Sequence, residues 1–163
     1  MAGPTTDEHN PYYNIYRQAG EEISSTSEGR HVLVLESDMV HPDHTDPVTG
    51  ANLVRKGDPV ALFDGVGVAL KTAESASDII PVDTEGVWRL SVTNTGANNF
   101  VNIVPGQVLF IMANGIITDD WVTSYAIFGY ALQPITGVGT MVIAVKVHWM
   151  YPYWFYDPQG GGP

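Results

Sequence analysis

Cysteine is absent from the 163-residue chain, which rules out disulfides, thiolate-held metals and a cysteine nucleophile. That absence fits synthesis in a reducing compartment. Basic residues are scarce: seven Lys and Arg stand against 18 Asp and Glu, a formal net charge of −11. Nucleic-acid binding draws on basic side chains that release counterions, so this balance argues against a nucleic-acid partner, and equally against docking on anionic lipid. No apolar run approaches the roughly 20 residues that span a bilayer. The N-terminal stretch "MAGPTTDEHNPYYNIYRQAGEE" lacks the basic-then-apolar order of a signal peptide. The chain is therefore expected to be soluble and not exported by the general secretory route.

What is present is apolar: hydrophobic residues make up 44% and charged ones 15%, the balance of a folded body rather than a disordered one. Residues 1–30 differ from the rest. They are polar, carry Pro4, Pro11, Gly20 and Gly29, show no sustained period, and read as an extended arm that orders on a partner surface. Within the arm, Tyr12, Tyr13, Ile15 and Tyr16 form a candidate anchor, because aromatic side chains carry large contact area.

From His31 to His148 the pattern is of short strands. "HVLVLE" reads as a buried strand, "DPVALF" and "VGVAL" as strands parted by Asp64-Gly65, and "TAESASD" as a helical turn or a loop. "GVWRLSV" alternates, placing Trp88, Leu90 and Val92 on one face and Arg89 and Ser91 on the other. "QVLFIMANGIIT" sets two apolar runs about Asn114-Gly115, the strongest hairpin signal in the chain. With "WVTSYAIFGYAL" and "TMVIAVKV" added, and no segment of helix length carrying a 3.6-residue period, the expected fold is all-β. It is a compact barrel or sandwich of about seven to nine short strands. Residues 149–163 form an aromatic tail in which Trp149, Tyr151, Tyr153, Trp154, Phe155 and Tyr156 put six aromatics into eight positions. They represent on the order of 1,000 Å² of surface that seeks burial.

Motifs for chemistry fail one by one. Gly65-Val66-Gly67 has Leu70 where a dinucleotide fingerprint needs its third glycine, and no Gly-Lys-Ser/Thr follows, so these are structural glycines. "HPDHTD" gathers His41, Asp43, His44 and Asp46, good ligand types for a divalent ion. No third ligand cluster accompanies them, and a solvated surface loop is the expected reading. "DTEG", Asp83 to Gly86, resembles an aspartic-protease turn with an inserted glutamate and no second copy. Asp119 and Asp120 are adjacent on the chain and so face opposite ways on a strand. No Gly-x-Ser-x-Gly elbow exists. The residues call for no cofactor, no metal and no catalysis.

The order of elements carries more. "RKGDPVALFDGVGVAL", "TEGVWRLSV", "IVPGQVLFI" and "AIFGYALQPITGVGTMVIAVKV" follow one another from Arg55 to Val147. This series resembles the small β-rich capsid decoration, or cement, proteins of tailed bacteriophages. The resemblance implies a homotrimer on the outer surface of an expanded phage head, made in the host cytoplasm. It would stabilise contacts between major capsid proteins without catalysis. On that reading Tyr12, Tyr13, Ile15 and Tyr16 make capsid contact, and the Trp149 to Tyr156 aromatics pack within the trimer or on the capsid. Gly57, Gly65, Gly67, Gly86, Gly106 and Gly129 are structural. A polar arm suits this role, since a segment that orders on binding wraps a large surface and symmetric repetition adds avidity. The rival readings are a carbohydrate-binding or adhesin-type β-domain using the tail, and a small trimeric β-enzyme of the nucleotide-hydrolase type. The second lacks that class's Asp-centred motifs.

Overall fold

Among the described residues, short β-branched runs broken by glycine turns fold into twelve strands and a 3-10 turn, Glu36–Asp38. The computed structural model describes residues 21–24, 31–62, 65–96, 101–122 and 124–148. Twelve strands exceed the seven to nine expected. The excess is three pieces of two residues each, β7 (Asn102–Ile103), β9 (Ile117–Thr118) and β11 (Ile135–Thr136). Two residues are too few to show alternation, so they exist only through the partners they pair with.

Five strands close a barrel. β6 (Glu85–Asn94) pairs with β12 (Gly139–His148), then come β10 (Ser124–Ala131), β8 (Val108–Met112) and β9, and β9 returns to β6. The closing pair is the only parallel one among the described strands, Val92↔Ile117 and Thr93↔Thr118. The expected hairpin at Asn114-Gly115 joins β8 to β9: Gly115 N–H donates to Met112 O, and Met112 N–H to Ile116 O. Gly115 has φ 75°, the left-handed conformation such a turn demands. β1 (Glu21–Ser24), within the segment read as an arm, adds to β6 as a sixth strand, Glu21 opposite Arg89. The interior is filled by Trp88, Leu90 and Val92 of β6, Leu109 and Ile111 of β8, Phe128, and Ile143, Val145 and Val147 of β12.

A second sheet runs β2 (His31–Leu35), β5 (Ile79–Asp83), β4 (Gly65–Ala69), β3 (Pro59–Leu62). Alternation along its inner strands serves two cores at once. Val66 and Val68 of β4 and Ala61 of β3 point into the barrel core. Ala69 of β4 and Val60 of β3 point into a smaller core with Met39, Val54, Ile80 and Val82. The chain leaves this sheet for the barrel at Thr84, which is fully buried between β5 and β6. Gly67 lies under that crossing. A Cβ there would fall well inside 3.0 Å of both Val82 Cγ1 and the Asp83 carbonyl oxygen.

Two local expectations are corrected. "HVLVLE" was expected to be a buried strand, but β2 is an edge strand bonded to β5 alone, with Leu33 and Leu35 exposed. Only Val32 and Val34 turn inward. Arg89, placed by alternation on the outer face with Ser91, is buried because β6 is flanked there by both β1 and β12.

Candidate functional site

The residues richest in chemistry are those of the loop His41 to Asp46, which follows the 3-10 turn and is pinned at Val40 by a bridge to Ala61. Its two histidines turn inward, each to a carboxylate outside the motif. His41 Nε2 lies 3.1 Å from Glu36 Oε1, and its Nδ1 lies 2.8 Å from the Pro42 carbonyl oxygen. Glu36 is buried, and the same oxygen accepts the Val54 N–H at 3.3 Å. His44 Nε2 lies 2.7 Å from Asp58 Oδ2, which also accepts the Arg55 N–H at 2.7 Å. The two imidazoles stack with centroids 6.4 Å apart and planes at 13°.

The two aspartates do something else. Asp43 accepts from the Thr45 hydroxyl and N–H, and these bonds hold its carboxyl below the usual range. Asp46 accepts the N–H groups of Thr49 and Val48, with the same effect. Thus His41, Asp43, His44 and Asp46 do not converge on one point: histidines fasten the loop to the body, and aspartates close its turns. Among the described residues no cluster of three or more potential ligands forms. The expectation of a solvated loop holds for Asp43, Thr45 and residues 46–52, which are exposed, but not for the His41 and His44 side chains, which are only 7% and 20% exposed.

A third fastening comes from the barrel. The β8–β9 turn presses on the loop so closely that the Cβ position of Gly115 is taken by the backbone of His41 and Pro42. Between loop and barrel wall lies a cleft of about 420 Å³, with Pro42, His44 and Lys56 on one side and Ser91, Thr93 and Thr140 on the other. Thr93 and Thr140 share a hydroxyl–hydroxyl hydrogen bond of 2.8 Å across β6 and β12.

A second surface lies on the other sheet. Leu33 sits opposite Pro81 and Leu35 opposite Ile79, so the four side chains share one face. Leu33, Leu35 and Ile79 are 72%, 42% and 58% exposed. Sequence reasoning missed this face, and missed Glu36 and Asp58 as the histidines' partners. The available signals were weak: an acid closing an apolar strand, and an acid in Gly-Asp-Pro.

The other expected site residues fall as follows. Gly57, Gly86 and Gly106 hold φ of 91°, 106° and 88°, Gly65 opens β4 opposite Leu62, and Gly129 lies against the Lys146 backbone. Tyr12, Tyr13, Ile15 and Tyr16, and Trp149, Tyr151, Tyr153, Trp154, Phe155 and Tyr156, lie outside the described residues.

A closed barrel, a fused second sheet, and polar side chains engaged in fastening loops define an all-β domain. A family profile described as phage cement protein matches residues 40–147, and the chain belongs to that family. It is a structural protein of the phage capsid, acting there as cement. The match opens at Val40 and so takes in the histidine loop. Comparison with curated proteins and with solved structures gives no match.

Proposed function

We propose that this chain decorates the outer surface of a phage head as a homotrimer and clamps neighbouring major capsid proteins. The observation that carries this reading is the family match across residues 40–147, which covers the barrel and most of the second sheet. The fastened loop supports it: two partly buried histidine–carboxylate contacts and a glycine-tight turn make a stiff body, and a clamp needs its contact surfaces held at fixed separation. Capsid contact is assigned to Tyr12, Tyr13, Ile15 and Tyr16 of the N-terminal arm. A polar segment with a few aromatic anchors binds weakly per unit area, and three arms per trimer multiply the effect.

The test removes residues 1–20 and keeps β1, which belongs to the barrel sheet. The truncated chain is expected to remain a trimer by light scattering and to lose binding to purified expanded heads in a sedimentation assay. Undiminished decoration by the truncated trimer refutes the arm assignment. A monomer at all working concentrations refutes the oligomer.

A further inference from the structure

The apolar face of β2 and β5 needs an occupant, and the register of the sheets shows which segment is rooted beside it. β12 ends at His148 opposite Glu85, and Asp83, two residues earlier, stands opposite His31 at the start of β2. Residues 149–163 therefore depart from the junction of the two sheets, one strand-end away from the exposed face. From that junction to Leu35 and Ile79 is about 13 Å, four residues of strand rise. Fifteen residues reach up to roughly 50 Å.

The N-terminal segment is rooted less well. β1 runs from Glu21 beside Arg89 to Ser24 beside Val87. Residues 1–20 thus join β1 at its end remote from the junction.

Composition agrees with position. The tail carries six aromatics and one charged side chain, Asp157, whereas residues 1–20 carry Asp7, Glu8 and Arg17. An aromatic run of this density matches a face made of Leu33, Leu35, Ile79 and Pro81. A tether this short also raises the tail's local concentration at the face to the millimolar range, ahead of any free partner.

We infer that residues 149–156 pack on the Leu33–Leu35–Ile79 face of their own chain. The tail is then a covering strap for the second sheet rather than a trimer contact or a grip on the capsid. Its aromatic surface and the apolar face of β2 and β5 cover each other.

The test places the photoreactive residue p-benzoylphenylalanine at position 33 of the full-length chain, in place of Leu33. At 72% exposure this site tolerates a large side chain. After irradiation, peptide mapping is expected to show a dominant link from position 33 to residues 149–156 in a product that migrates as one chain. Links to any other segment, or no link, overturn the inference, and a two-chain product carrying the same link gives the face to a second copy and overturns it as well. A second readout keeps Trp154 as the sole tryptophan, with Trp88, Trp121 and Trp149 each changed to Phe. Its emission is expected to be blue-shifted and to move to the red on Leu33→Asp. Emission unmoved by Leu33→Asp overturns the assignment.

Discussion

Replacing Gly67 by alanine isolates a single physical cost. The glycine has no left-handed φ to lose, so only the added methyl matters. That methyl would overlap Val82 Cγ1 and the Asp83 carbonyl oxygen and lie 3.1 Å from the Asp83 carbonyl carbon. Val82 is fully buried and has little room to turn aside. The Asp83 backbone is worse placed to yield, because it is paired with Val68 on one side and His31 on the other. Overpacking of this kind costs about 1–3 kcal/mol. The stiffer unfolded chain returns about 0.4–1 kcal/mol. A net loss of roughly 1–1.5 kcal/mol lowers Tm by about 2–6 °C for a chain of this size. Thermal melts by circular dichroism, with urea unfolding to check that the m-value is unchanged, measure it. Asparagine separates this mechanism from backbone strain. At Gly106, where φ is 88° and the space is open, Asn restores most of what Ala loses, because it tolerates the left-handed region. At Gly67, Asn is expected to be worse than Ala. A Gly67→Ala protein that melts at or above the parental Tm refutes the crossing-strand argument.

Two further outcomes are expected. Glu36→Ala leaves the buried Val54 N–H and His41 without their acceptor and should cost about 1–3 kcal/mol in urea unfolding. Glu36→Gln keeps an acceptor and should cost less, and a Glu36→Ala protein as stable as the parent removes Glu36 as the loop's anchor. Asp43, Asp46 and Asp78 all have folded-state pKa values below the ordinary 3.8, Asp78 through the Glu74 N–H first and the Ser75 hydroxyl next. Their contribution to stability is present above the unfolded value and is lost as pH falls through the lowered folded values. Tm measured from neutral pH to below 3.8 should fall less steeply for the combined Asp43→Asn, Asp46→Asn and Asp78→Asn protein than for the parent. An identical slope refutes the assignment.

Local chemistry explains what was readable in advance. Asn114-Gly115 forces a hairpin by itself, and the strict alternation of Trp88, Leu90 and Val92 needs one apolar face, so the all-β class followed from short segments. The barrel closure did not, because Val92 meets Ile117 across 25 residues of chain in a parallel pair that neither segment encodes alone. Edge position was hidden for a similar reason: "HVLVLE" has the composition of an interior strand, and only the sheet order exposes Leu33. At the loop, the histidines were visible as chemistry but their partners were not. Glu36 and Asp58 lie 5 and 14 residues away, on the far side of a turn and a loop whose path no spacing rule fixes.

The long central ladder has a mechanical side. β6 is flanked by β1 and β12, both antiparallel to it, and β12 is joined to it by ten registered pairs from Gly139 to His148. β1 and β12 therefore run in the same direction, and the segment before Glu21 attaches beside Arg89, midway along β6, while the segment after His148 attaches beside Glu85, at its start. Pull those two segments apart and the load runs along the strands, so the hydrogen bonds of the ladder share it in shear instead of opening one after another like a zip. Load applied between those two attachment points is thereby met along the strongest axis of the fold.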